Sequence, residues 1–75
     1  MIEMNEIELR IEDLEYTVTE LKKELRRVKS TVNKLEKLGL IPPTELLIKK
    51  ENTEVELKEL KQELKALKKV VELIK

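Results

Sequence analysis

Apolar residues recur through the first half of the chain at Met4, Ile7, Ile11, Leu14, Val18, Leu21, Leu25, Val28, Val32 and Leu35, in steps that alternate three and four without a miss. A 3.5-residue repeat keeps one narrow stripe of an α-helix turned toward a neighbouring helix, which is the pattern of a coiled-coil seam. Residues Ile7-Glu8-Leu9-Arg10-Ile11-Glu12 also alternate as a strand would, but the much longer heptad run outweighs that short stretch. The pattern returns at Leu57, Leu60, Leu64, Leu67, Val71 and Ile74. Between the two runs lies the chain's one cluster of helix breakers, Gly39-Leu40-Ile41-Pro42-Pro43. Gly just past the last periodic residue, with Pro a few positions on, stops a helix, and Thr44 is placed to cap the next one. The spacing predicts an all-α helical hairpin: helix 3–38, turn 39–43 and helix 44–74, one domain over residues 1–75.

The second helix falters before Leu57. Lys50 and Thr53 occupy positions that belong to the seam, and residues 49–54 are wholly polar. Thr53-Glu54-Val55-Glu56 could form a capping box, which would start the long helix at Thr53. A single helix with a stutter is the preferred reading.

Charge bears on how the helices pair. Residues 1–21 hold seven acids and one base, residues 22–43 seven bases and two acids, residues 44–63 six acids and four bases, and residues 64–75 four bases and one acid. Folding back sets the acidic first quarter beside the basic last one. Matching each helix to its own dipole would give the same acidic-first, basic-last order, and both causes favour antiparallel neighbours. Aligning the seams about a midpoint between Pro42 and Pro43 gives the layers Ile11–Ile74, Leu14–Val71, Val18–Leu67, Leu21–Leu64, Leu25–Leu60 and Val28–Leu57. Flanking pairs would then be attractive at Glu8–Lys75, Glu15–Lys68 and Lys29–Glu54, and repulsive at Lys22–Lys61 and Glu24–Glu63. Exposed pairs contribute only about 0.2–1 kcal/mol each, so the apolar layers decide.

In that alignment Met4 and Ile7 overhang without a partner. Ile2, Leu9 and Tyr16 recur every seven residues on the side opposite the seam, and Ala66, Val70 and Leu73 widen the apolar face of the second helix at the same end. The interaction surface expected at this base is therefore Ile2, Met4, Ile7, Leu9, Tyr16, Val70 and Leu73. A second chain is called for, most simply a second copy forming a homodimeric four-helix bundle. Another helical protein would satisfy the same surface. The tip is apolar too, at Leu38, Leu40, Ile41, Leu46, Leu47 and Ile48, chiefly as closure of the turn.

Composition narrows the chemistry. With no Cys and no His the chain lacks thiolate nucleophiles, disulfides and the usual zinc ligand sets, and it has one Gly, too few for a phosphate-cradling loop. The hydroxyls of Thr17, Thr19, Ser30, Thr31, Thr44 and Thr53 have no evident activated base nearby, and the adjacent acids Glu12 and Asp13 read as a solvated face. No catalytic residue, cofactor or metal site is expected. The 16 basic and 16 acidic residues cancel, which argues against a dedicated nucleic-acid binder. One basic stripe remains, at Lys23, Arg26, Arg27, Lys34 and Lys37, and doubled in a dimer it could track phosphates. A two-helix hairpin that dimerises resembles the Rop-type RNA-binding bundle in outline, an analogy of architecture with no shared motif. The only aromatic residue is Tyr16, so base stacking is not expected. No apolar run has the length of a membrane span and Met1-Ile2-Glu3 does not open a signal peptide. The missing Cys fits a cytoplasmic setting, and the heavy Lys/Glu content is thermophile-like.

Overall fold

The computed structural model describes residues 4–74, with the side chain of Met4 excepted. Expectations that fall on Ile2, on the Met4 side chain and on Lys75 lie outside the described residues. Two helices account for almost all of the chain, α1 (Met4–Lys37) and α2 (Thr44–Ile74), and they pack against each other as a hairpin. The extents of 55 × 15 × 14 Å are those of two helices side by side with no third layer. At 1.5 Å per residue α1 alone spans about 51 Å.

The reversal is carried by Gly39. Its φ of 74° places it in the left-handed region. The Gly39 amide donates to the Glu36 carbonyl at 3.0 Å and the Leu40 amide to the Leu35 carbonyl at 2.9 Å. These two bonds define a Schellman motif, which satisfies carbonyls that the end of α1 would otherwise leave open. Leu38, predicted helical, belongs to the turn. The Pro43 carbonyl accepts from the amides of Leu46 and Leu47, so Pro43 occupies the cap position, one place earlier than the Thr44 cap the sequence suggested, and Thr44 is the first helical residue.

Because the chain turns at Gly39 and not between the prolines, the helices meet one heptad away from the predicted register. Val18, Leu25 and Leu57 form one buried cluster, with Leu21 and Leu60 packed on it. Val18 and Leu25 are two turns apart, about 10.5 Å, so Leu57 sits between them and level with Leu21. The cross-helix ion pairs bracket the same alignment, since Glu15–Lys68 and Lys29–Glu54 slant one way and Arg10–Glu63 and Glu24–Lys49 the other. Leu14 is then level with Leu64, Ile11 with Leu67, Ile7 with Val71, Leu25 with Thr53, Val28 with Lys50 and Val32 with Leu46. Burial agrees. Ile7, expected to overhang, is 8% exposed, whereas Ile74, expected to cover Ile11, is 61% exposed.

The helix α2 runs unbroken through residues 49–54, as the single-helix reading held, and it needs no stutter. Leu46, Lys50, Thr53 and Leu57 keep the four-three-four spacing, with Thr53 and Leu57 buried and Leu46 and Lys50 half-buried. The weak stretch is a pair of polar residues in an intact seam.

Candidate interaction surface

The seam divides the hairpin's surface into two flanks. On the first, Lys68 pairs with Glu15 at 3.8 Å and Lys29 with Glu54 at 4.0 Å. On the second, one guanidinium nitrogen of Arg10 donates to both carboxylate oxygens of Glu63 at 3.2 Å, and Lys49 meets Glu24 at 3.1 Å. Two of these four pairs are the attractive ones expected from sequence. The heptad slip also relieves the predicted Glu24–Glu63 repulsion, since each acid takes a separate cation. All of these side chains are about half exposed, so each pair contributes about 0.2–1 kcal/mol and biases the alignment without fixing it.

What fixes the hairpin is the seam, and the seam is not closed. Ile7, Leu14, Val18, Leu25, Val28 and Val32 of α1 are buried, Leu14 most deeply at 2% exposure. On α2 only Leu57 matches them among the apolar residues, while Leu46, Leu60, Leu64, Leu67 and Val71 stay half-buried. A seam residue is enclosed where it sits in a hole formed by four residues of the facing helix, and it is the residues of α2 that are less completely enclosed.

The residues expected to form the base do not make one surface. Ile7 is spent on the internal seam. Leu9 and Tyr16, 58% and 70% exposed, each follow a buried seam residue by two positions, which turns them about 200° away onto the outer face of α1. Val70 and Leu73 lie on α2, with Leu73 82% exposed, and Val70, a heptad beyond Glu63, belongs to the second flank. At the tip, Leu38, Leu40 and Ile41 are exposed, Ile41 almost completely, and Leu47 and Ile48 partly so.

The basic stripe is also divided. Arg26, Lys34 and Lys37 line one shallow depression with Lys29, Ser30 and Asn33, whereas Arg27 lies across the helix beside Glu20, Glu24 and Lys49. Lys23 is paired with Glu20 at 3.6 Å. A second basic cluster had gone unmarked in the sequence. Lys61, Lys65, Lys68 and Lys69 rim a depression over Leu64 on α2, with Glu72 at its edge. Its signal was the recurrence of Lys every three or four residues from Lys58 onward.

Two of the hydroxyls considered for chemistry are engaged. Thr19 donates to the Glu15 carbonyl at 2.9 Å and Thr31 to the Arg27 carbonyl at 3.0 Å, bonds that a helical Thr makes to its own preceding turn. Among the described residues there is no grouping of acids that could hold a metal ion, and no helix is long and apolar enough to cross a membrane. No family model matches the chain, and no significant match is found to a curated protein or to a solved structure.

Proposed function

We propose that this chain is a non-catalytic coiled-coil module whose work is association, first with a second copy of itself and then, through its ends, with another helical protein. The observation that supports this is the open seam: five large apolar residues of α2, Leu46, Leu60, Leu64, Leu67 and Val71, are only partly covered by α1. Burying apolar surface is worth about 25 cal/mol per Å², and a chain this short gains little of it alone. A homodimer of hairpins, a four-helix bundle, would cover the half-open stripe with groups of the same kind. Sedimentation equilibrium at micromolar concentration tests this. A dimer with unchanged helicity is expected, and a strictly monomeric, fully helical species would remove the proposal.

A second reading rests on Arg26, Lys29, Lys34 and Lys37 sharing one shallow surface. Phosphates of a nucleic-acid duplex would be its ligand, bound without base reading. Salt-dependent binding that weakens with Arg26→Glu and Lys34→Glu would favour it, and the absence of any gel shift at low salt would end it.

A further inference from the structure

The first flank carries a charge layout of which the hairpin's own ion pairs use four residues, Glu15, Lys68, Lys29 and Glu54. Its residues follow from the two pairs that mark it. Glu8 and Lys22 lie one heptad either side of Glu15, and Glu12 and Arg26 lie one turn before Glu15 and Lys29. On α2, Lys61 is midway between Glu54 and Lys68, with Glu51 and Lys65 one turn before Glu54 and Lys68. Near the base, then, an acidic patch on α1 (Glu8, Glu12, Glu15) lies beside a basic one on α2 (Lys61, Lys65, Lys68). Toward the tip the signs exchange, with Lys22, Arg26 and Lys29 on α1 beside Glu51 and Glu54 on α2. Lys58 at the centre, Glu36 at the tip and Glu72 at the base depart from the scheme, and Lys22 faces Lys61 where the patches meet, one heptad from each of the two ion pairs. Every one of the eleven patch residues is exposed.

We infer that this flank is the homodimer interface: a second copy of the chain, related by a two-fold axis, lies against it so that each acidic patch meets a basic one. A two-by-two alternation of sign has a property that few surfaces share. With the axis along the helices, the α1 patches meet the α2 patches of the other copy at the same end. With the axis across the helices, base meets tip on the same helix. Both operations set opposite charges face to face. The second flank lacks this property, because Glu6, Asp13 and Glu20 of α1 and Glu59 and Glu63 of α2 give both helices the same sign at the base, with Arg10 as the exception. Two copies joined there with ends aligned would oppose acid to acid.

The size is adequate. A flank of 55 × 15 Å presents about 800 Å² from each copy, which is the area per partner of a standard stable interface. The contact is not purely ionic either. Leu64 floors the lysine-rimmed depression near the base, and Leu47 lies among Lys50, Glu51 and Glu54 near the tip. Carboxylates of the other copy would reach the lysine rim while the stems of both cover the leucine. Complementary charge of this kind sets partner and register more than it sets affinity, so the half-open seam supplies the driving force and the flank determines how the copies align.

This inference rests on the self-association proposed above, and the experiment separates the two. Full-length protein is measured by sedimentation equilibrium as wild type, as Lys61→Glu with Lys65→Glu, and as Asp13→Lys with Glu59→Lys. Neither Lys61 nor Lys65 takes part in the hairpin's own ion pairs among the described residues, so the fold is spared. The first double variant is expected to dissociate with a Kd raised by on the order of tenfold or more, since like charges would then face each other, while the variant on the second flank associates as wild type. If the charge reversal lowers helicity, Lys61→Gln with Lys65→Gln replaces it, with a smaller weakening expected. A dimer that tolerates these changes, or that the second-flank variant weakens equally, overturns the flank assignment and leaves self-association standing. A monomeric wild type overturns both.

Discussion

Thr53→Val should stabilise the protein. Thr53 is a buried polar residue on the seam, 6% exposed and level with Leu25, which is itself 8% exposed. The substitution exchanges a hydroxyl for a methyl of nearly equal size, so the packing outline survives. Helix propensities of Thr and Val are close, which removes the backbone from consideration. Burying the added methyl is worth about 0.8 kcal/mol, and no unsatisfied buried oxygen is found at this position to add to that. The gain is then about 1 kcal/mol. For a domain of this size, each kcal/mol moves Tm by about 4–8 °C, so the melting temperature should rise by roughly 4–8 °C. The assay is thermal unfolding followed by helical circular dichroism at one fixed protein concentration, because any association also raises Tm. Thr17→Val, on the exposed surface, serves as the control and should change little. If Thr53→Val leaves Tm unchanged or lowers it, position 53 is not enclosed by the seam and the continuous heptad phase of α2 is wrong.

The same seam position nearby gives a second test: Lys50→Leu should raise the urea midpoint by filling the layer level with Val28, with a gain of about 1–2 kcal/mol. Gly39→Ala should cost about 1–2 kcal/mol in urea unfolding, because Gly39 lies in the left-handed region while no atom stands within 4 Å of an added Cβ; a loss far beyond that would mean a steric clash where open space is found. The register can be read by cysteine cross-linking in a chain that has no cysteine of its own. Leu21→Cys with Leu57→Cys should form an intramolecular disulfide readily and Leu21→Cys with Leu64→Cys slowly, and the opposite order would restore the alignment about the prolines. Removing Arg10, by Arg10→Ala, should cost no more than about 1 kcal/mol by thermal melting, since its pair with Glu63 is half exposed.

The elements themselves were legible because each is specified locally. The unbroken heptads of α1, the Gly39 stop and the return of leucines after Leu57 name two helices and a reversal, and Glu15–Lys68 and Lys29–Glu54 could be paired from charge. The register was not legible, and the reason lies in the periodicity that made the rest so clear. A seven-residue repeat looks the same after a slip of seven. Leucines of α2 accept either set of neighbours on α1, and ion pairs between long side chains are compatible with both, as Glu15–Lys68 and Lys29–Glu54 were. Only features that occur once can choose. The prolines looked like such a feature, but they merely lead the chain into α2, whereas the left-handed Gly39 reverses it. A turn at Gly39 sends residues 40–43 back alongside the end of α1, slides α2 by about 10 Å, buries Ile7 and leaves Ile74 in solvent. The same reasoning explains why Lys50 and Thr53 remain in the seam. A stripe of uniform leucine would slip with little cost, and two polar positions give the repeat an origin that any partner must also respect.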